Sequence, residues 1–523
     1  MSVADPHLML AFEGTEVPDW LRQRLEESPP AGVTLFREWN METPEQVAEL
    51  TSSLQELNSS PLPLLIAVDQ EGGQLIGLPG STPFAGNMAI AAAGDTDLAG
   101  AVAVAMGQEL AAVGINVNYA PVADVATRPE NPSLGIRSFG EDPAEVARLV
   151  RAMTTGFSEA GIASTAKHFP GKGEAVVDPH YELPMLALDL ERLERVELPP
   201  FRAAFEAGVE LLMMGHYLVP SLTGSDVIPI SASERGIDGF VRAEMGFEGL
   251  VITDALDMGA LDQGPAQVVD IITMMRGGTD LLLCLPDPNL QERVRVAVER
   301  GESRGLIQAA TLAASRQRIE RLRKSIPEPR LSPDLVGTER HRGLADELAR
   351  KSVTLVRNDE DLIPLKLSPR ARVLSLEPVP TNVTPADTTA LYPPMLATAL
   401  RDEHLAATEI VYPHHPQRSD IDAAVSQVDG HELVVVGTVT ATAGQANLVR
   451  ALIATGTPVV TVALRTPYDL AAYPGAGTQL CTYSGHEPSL RALAHGLVNG
   501  LGDPGSLPVS IPDFYPIGHG IRV

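Results

Sequence analysis

The stretch KHFPGKGEAVVDPHYELP, Lys167 to Pro184, crowds lysines, histidines and acids into one short segment. Three chemistries suit such residues: a phosphate loop, a metal site and a proton-transfer device. A Walker-type phosphate loop needs Gly-x4-Gly-Lys-Ser/Thr opening a helix, so that backbone N–H groups and the lysine surround phosphates. Here the glycine spacing is wrong and Glu174 stands near where a hydroxyl is required. A metal site could draw on His168, His180 and His216 with Asp178 and Asp254, nitrogen and oxygen ligands of ordinary type. Against it, no His-x-His or His-Glu-x-x-His pair is present and Lys167 would set a positive charge beside the cation; no metal is expected. The third reading takes Asp178-Pro179-His180 as a unit. Two residues apart in an extended loop, the carboxylate can accept a hydrogen bond from one ring nitrogen, orient the imidazole and leave the other nitrogen for the reaction. Such a histidine, with an ordinary pKa near 6.5, can act as general acid and then as general base.

A general acid needs a nucleophile beside it. Asp254 leaves the apolar run GLVITDALDM and is the strongest choice, whereas Asp257 farther out could equally cap a helix. An aspartate nucleophile with an aspartate-tuned histidine suits displacement at a sugar anomeric carbon, where a carboxylate attacks while an acid protonates the leaving oxygen.

The elements that must hold these residues can be read from periodicity. Eight apolar runs, HLMLAFEG, GVTLFREW, PLLIAVDQ, INVNYAPV, IASTAKHFP, ELLMMGHY, GLVITDAL and DLLLCLP, are separated by longer helical or loop stretches. Helical spacing is clear in TPEQVAELTSSLQELN and DPAEVARLVRAMTTGFSEAG, with Thr43 and Asp142 placed as caps. Strands alternating with helices predict a parallel sheet, and eight units within roughly 300 residues predict a (β/α)8 TIM-like barrel, with an open doubly wound sheet as the alternative. Asp69, Asn118, Lys167, His168, His216 and Asp254 all fall late in their runs. Barrel active sites are built at that end of the strands.

The chain has 523 residues, too many for one ordinary core. A turn-rich, charged stretch, PEPRLSPDLVGTERHRG, predicts a boundary near residue 335, giving a catalytic barrel over 1–335 and a smaller parallel α/β sandwich domain over 336–523. The second part carries the strand-like runs SVTLVRN, ARVLSLEP, ELVVVGT, PVVTVALR and TQLCTYS. A net charge of -28 argues against nucleic acid and anionic membrane surfaces as partners. With no basic leader before an apolar run and no span-length apolar segment, a cytoplasmic location is expected. Cys284 and Cys481 lie far apart without metal-ligand spacing, and read as buried thiols.

The motifs DQEGGQ, NYAPVADV, RSFGEDP, KHFPGKGE followed by DPH, and VITDALDMGA, in this order, resemble family-3 glycoside hydrolases, most closely the bacterial β-N-acetylglucosaminidases of two-domain type. That resemblance implies retention through a covalent glycosyl-enzyme, with Asp254 as nucleophile, His180 as acid/base and Asp178 as its partner. It further implies that Asp69, Arg137, Lys167 and His168 bind hydroxyls of a terminal N-acetylglucosamine, with His216 lining the site. Tyr119 and Asp124 read as supporting groups. The implied substrates are β-linked N-acetylglucosamine saccharides, of muropeptide or chitin type, and no cofactor is implied. Phosphorolysis, or sugar binding without turnover, are the alternatives. The chain departs from the family pattern at Lys172 (usually His), Glu174 (often Asp), Pro179 (Ser or Thr), Gln74 (Arg) and Ala255 (Asp).

Overall fold

The computed structural model describes residues 2–261, 264–328, 330–368 and 370–522. Each of the eight apolar runs supplies one strand of a parallel sheet: β1 Leu8–Leu10, β2 Gly32–Thr34, β3 Leu65–Val68, β4 Val117–Asn118, β5 Ala163–Phe169, β6 Leu211–Met214, β7 Leu250–Thr253 and β8 Leu282–Cys284. The order is β8-β1-β2-β3-β4-β5-β6-β7, and a parallel bridge between Ile252 and Leu281 brings β7 back to the segment entering β8. The ring is therefore nearly closed, a (β/α)8 barrel rather than an open sheet.

Strand alternation sorts the side chains. Leu65 and Ala67 of β3 join an inner cluster with Met9, Val117, Leu211, Met213 and Ile252, while Ile66 and Val68 join the layer beneath the helices. Ile319 and Leu322, from the helix Ala309–Ser325, close that inner cluster. The outer helices start where the caps lie: Thr43 accepts from Gln46 N at 3.2 Å to open Pro44–Leu57, and Asp142 accepts from Ala144 N at 2.9 Å to open Pro143–Glu159.

One unit is irregular. Between β3 and the helix Asn87–Ala93, the chain forms a short antiparallel hairpin, Gln70–Gly72 against Leu75–Ile76.

After the helix Ala309–Ser325 and a turn at Pro333–Leu335, the helix Glu339–Ser352 packs against both the barrel helix Asn87–Ala93 and the late helix Glu487–Asn499. A second, six-stranded sheet follows: β9 Thr354–Asn358, β10 Arg372–Pro378, β11 Ala406–Tyr412, β12 Leu433–Thr438, β13 Val459–Ala463 and β14 Thr478–Cys481, in the order β9-β14-β13-β12-β10-β11. Five of these strands coincide with the runs read from sequence. Two features differ from the sequence expectation. β9 joins β14 antiparallel, so the sheet is not wholly parallel, and β11 is an additional edge strand. With most of its residues exposed or half-exposed, Thr408 and Glu409 among them, β11 has no continuous apolar run to announce it. Cys284 and Cys481 are both buried and unbridged. Among the described residues no helix is long and apolar enough to cross a membrane.

Candidate active site

All the polar residues singled out at strand ends lie at the carboxyl end of the barrel, because the strands are parallel and each residue follows its strand or falls in its last three positions. Asp69 follows β3, and its segment is fixed by Asn118 of β4, whose amide accepts from Gln70 N and donates to Gln70 O, both at 3.0 Å. Lys167 and His168 sit in β5. Asp254 follows β7 and is half-buried, its Oδ1 accepting from Ala255 N at 2.9 Å.

Two carboxylates organise the cations, Glu71 buried and Asp69 partly exposed. Glu71 receives Arg137 as a fork, Nε to Oε2 at 2.9 Å and Nη2 to Oε1 at 2.8 Å, and Lys167 Nζ lies 2.7 Å from Oε1. Lys167 also donates to Asp69 Oδ1 at 2.5 Å. Burial alone would raise the Glu71 carboxyl, but Arg137 and Lys167 outweigh it and hold the group down to about 2. Burial would lower Lys167, and the charges of Asp69 and Glu71 lift it above its ordinary value instead. Arg137 is thus a buried partner of Glu71.

Asp124 organises His168. Its Oδ2 lies 2.8 Å from His168 Nδ1, and its Oδ1 accepts from the backbone N–H of His168 at 3.1 Å and of Lys172 at 2.9 Å. Burial, with Lys172 and Arg137 nearby, drives the His168 pKa well below its ordinary value, so the ring is neutral. The carboxylate can only accept, so Nδ1 carries the proton, and Nε2 presents its lone pair to Arg137 Nη2 at 3.4 Å.

The loop after β5 brings in the pair read from sequence. Asp178 Oδ1 lies 2.6 Å from His180 Nδ1 and also accepts from His180 N at 3.1 Å. Burial tends to raise Asp178, yet these hydrogen bonds and the nearby charges of His180 and Lys172 hold it below its ordinary value. An ionised Asp178 fixes the ring and leaves Nε2 free of protein partners among the described residues. This loop is stitched to the one bearing Asp254: Gly259 N donates to His180 O at 3.0 Å and Ala260 N to Pro179 O at 3.1 Å. Arg128 and Arg192 pair with Glu174 on its outer side.

His216 is placed differently from the others. The ring is wholly buried, with Nδ1 2.8 Å from Ser231 Oγ and Nε2 3.2 Å from Ala255 O. Both nitrogens are spoken for, and Nε2 anchors the residue that follows Asp254. Tyr119 is buried against Thr34 Oγ1 at 2.9 Å.

Sequence reasoning passed over Glu71, although it sits in the quoted DQEGGQ two residues beyond Asp69. It also passed over Arg465 and His486 of the second sheet's loops, which reach the barrel hairpin: Arg465 Nη2 donates to Gln74 Oε1 at 2.7 Å, and His486 Nε2 lies 2.6 Å from Gly73 O. Among the described residues no group of three or more His, Cys, Asp or Glu side chains is arranged to hold a metal ion.

The geometry matches known proteins over most of the chain. Residues 13–322 match the family profile described as glycosyl hydrolase family 3 N terminal domain. A beta-hexosaminidase A of Pseudoalteromonas piscicida is 33% identical over 385 residues, 67% of this chain and 63% of that protein. The match thus spans somewhat less than two thirds of that relative. A beta-hexosaminidase of Xylella fastidiosa (strain 9a5c) is 34% identical over 313 residues, 57% of this chain and 90% of that protein. Among solved structures, a glycoside hydrolase family 3 beta-N-acetylglucosaminidase from Paenibacillus sp. str. FPU-7 superposes with a TM-score of 0.91 at 32% identity, covering 97% of this chain and 98% of the other.

Proposed function

The chain belongs to glycosyl hydrolase family 3, and from that premise we propose that it is a retaining exo-β-N-acetylglucosaminidase, removing terminal β-linked N-acetylglucosamine from muropeptide or chitin-type saccharides. The observation that carries the reading is the Asp178–His180 contact of 2.6 Å on a loop tied directly to the loop of Asp254. An acid and a carboxylate held on two cross-linked loops can approach one anomeric carbon from opposite sides.

In this reading His180 Nε2 gives its proton to the glycosidic oxygen as the C1–O bond breaks, while an Asp254 oxygen bonds to C1. Water, deprotonated by the same nitrogen, then attacks C1, releases Asp254 and leaves the sugar in its original configuration. Asp178 stabilises the imidazolium and fixes its tautomer. Asp69, Arg137, Lys167 and His168 bind the sugar hydroxyls, a role for which side chains already held by one another and by Glu71 and Asp124 are oriented. His216 is assigned to positioning the Asp254 segment, through the 3.2 Å contact of its Nε2 with Ala255 O.

The test is chromophore release from an aryl β-N-acetylglucosaminide beside the β-glucoside, with product configuration followed by NMR. We expect preference for the acetamido sugar, retention, and losses of about 10³-fold or more for Asp254→Asn and about 10²–10⁴-fold for His180→Ala. Full turnover by Asp254→Asn would overturn the assignment. Accumulation of sugar 1-phosphate in phosphate buffer would replace hydrolysis by phosphorolysis, and sugar binding without turnover would leave a binding protein.

A further inference from the structure

Lys172 is one of the positions where this chain leaves the family pattern, and its surroundings are unusual for a lysine. The residue is 1% exposed, yet among the described residues its ammonium has no hydrogen-bond or ion-pair partner. The other two cations of the cradle are paired with carboxylates at 2.8 Å or closer. Buried ammonium groups are ordinarily paired, because losing hydration without a partner is unfavourable by several kcal/mol.

The backbone of Lys172 is held firmly. Its N–H donates to Asp124 Oδ1 at 2.9 Å and its carbonyl accepts from Asn131 Nδ2 at 2.7 Å. It thus shares Asp124 with His168 on one side and leads to Asp178 and His180 on the other. The charges felt most by its ammonium are Arg137, Asp124, Asp254 and Glu71, all at the barrel mouth, and the ammonium in turn acts on Asp178 and His168. Burial first, and then Arg137, bring its pKa down to about 8, so at neutral pH it is a cation with no hydrogen-bond acceptor among the described residues.

The position relative to a bound pyranose follows from the roles proposed above, on which this inference rests. Glu71, Arg137 and His168 belong to the hydroxyl-binding side, and Asp254 with His180 to C1. Lys172 adjoins the Asp124–His168 pair through its backbone and begins the loop that runs on to Asp178 and His180, which sets it along C2, between C1 and the C3 hydroxyl. We propose that the Lys172 ammonium donates to the acetamido carbonyl oxygen at C2, and so makes the site prefer 2-acetamido over 2-hydroxy sugars. A lysine offers three donors and no acceptor, and an amide carbonyl offers an acceptor without asking for one in return. The missing partner of the unliganded site is then supplied by the substrate.

The experiment compares wild type, Lys172→Met and Lys172→Arg on matched aryl β-N-acetylglucosaminide and aryl β-glucoside. Calorimetric binding of N-acetylglucosamine and of glucose is measured alongside. Lys172→Met is expected to lower the acetamido-to-hydroxy ratio of kcat/KM by about 10- to 100-fold, the worth of a hydrogen bond to a charged group, and the binding ratio in parallel. Lys172→Arg should keep most of the preference. In wild type the preference should fall as pH rises through about 8 and the amine loses its proton. An equal loss on both sugars would make Lys172 a structural or general electrostatic residue and overturn the proposal, as would an unchanged ratio. Should wild type turn over neither substrate, the hydrolase reading fails while the two binding ratios still decide the role of Lys172.

Discussion

Glu71 is a carboxylate with almost no exposed surface that receives an arginine fork and a lysine ammonium together. Replacing it by glutamine keeps the shape but leaves two buried cations facing an amide. Breaking a buried ion pair on one side is destabilising by about 3–5 kcal/mol. Glu71→Gln should therefore lower stability by that order in urea unfolding and raise KM, because Lys167 and Arg137 lose the group that orients them. The pH dependence has a defined sign. With the folded pKa depressed from 4.5 to about 2, the contribution of Glu71 is present above about 4.5 and lost as pH falls toward 2. The variant should lack that part of the acid destabilisation, and a variant with unchanged stability and KM would show that the network is dispensable. The contrast with Asp178 and His180 explains what could be read beforehand. Their spacing of two residues is a local signal, and the structure places the two side chains 2.6 Å apart. Glu71 meets Arg137 across 66 positions of chain, and no periodicity records such a meeting.

Eight apolar runs gave eight barrel strands because a strand buried on both faces must be apolar throughout. The edge strand β11 escaped for the opposite reason, being too little covered to need such a run, whereas the hairpin at 70–76 is buried but filled with the polar Gln70, Glu71 and Gln74, which satisfy themselves by pairing instead of by an apolar run. What sequence does not reveal is how the loops are bound to one another, and glycines mark the tight points. A Cβ built on Gly173 would lie 1.9 Å from Val125 O and 2.9 Å from Thr127 Oγ1. Any side chain there must push the loop after β5 away from the segment that carries Asp124. The displaced loop would weaken the bond from Lys172 N to Asp124 and move Asp178 and His180 with it. Gly173→Ala should cost about 1–3 kcal/mol of stability by overpacking and about 10²-fold in kcat/KM by misplacing the acid/base. Circular dichroism and thermal unfolding set beside kinetics separate the two effects. Full activity with a native melting point would mean that the loop absorbs the methyl group without moving the dyad.

The two sheets meet near the cluster of Glu71, Arg137 and Lys167 proposed to hold the sugar, at the hairpin that carries Glu71. At Gln74, where the family resemblance implies an arginine, a guanidinium arrives from the other sheet: Arg465 Nη2 and Nε both donate to Gln74 Oε1, at 2.7 and 3.2 Å. Gln74 Nε2 answers by donating to Ala386 O at 2.9 Å, and His486 grips the preceding Gly73 carbonyl. This contact joins residues 391 apart in sequence, which is why the second domain offered no functional residue to sequence reading. Its consequence lies in the hairpin: Gln70–Gly72 pairs with Leu75–Ile76, so a shift at Gln74 is passed to Glu71, and from there to Arg137 and Lys167. Arg465→Met removes the donors while keeping apolar bulk, leaving Gln74 Oε1 buried without a partner. A stability loss of about 1–3 kcal/mol is expected, together with a several-fold rise in KM and a smaller change in kcat. The discriminating measurement is the double-mutant cycle with Gln74→Ala. If the second domain holds the cradle through this pair, the double variant should be no worse than either single one, with a coupling of about 1–2 kcal/mol in stability and a matching coupling in KM. Additive effects would mean that the domains touch here without one setting the geometry of the other.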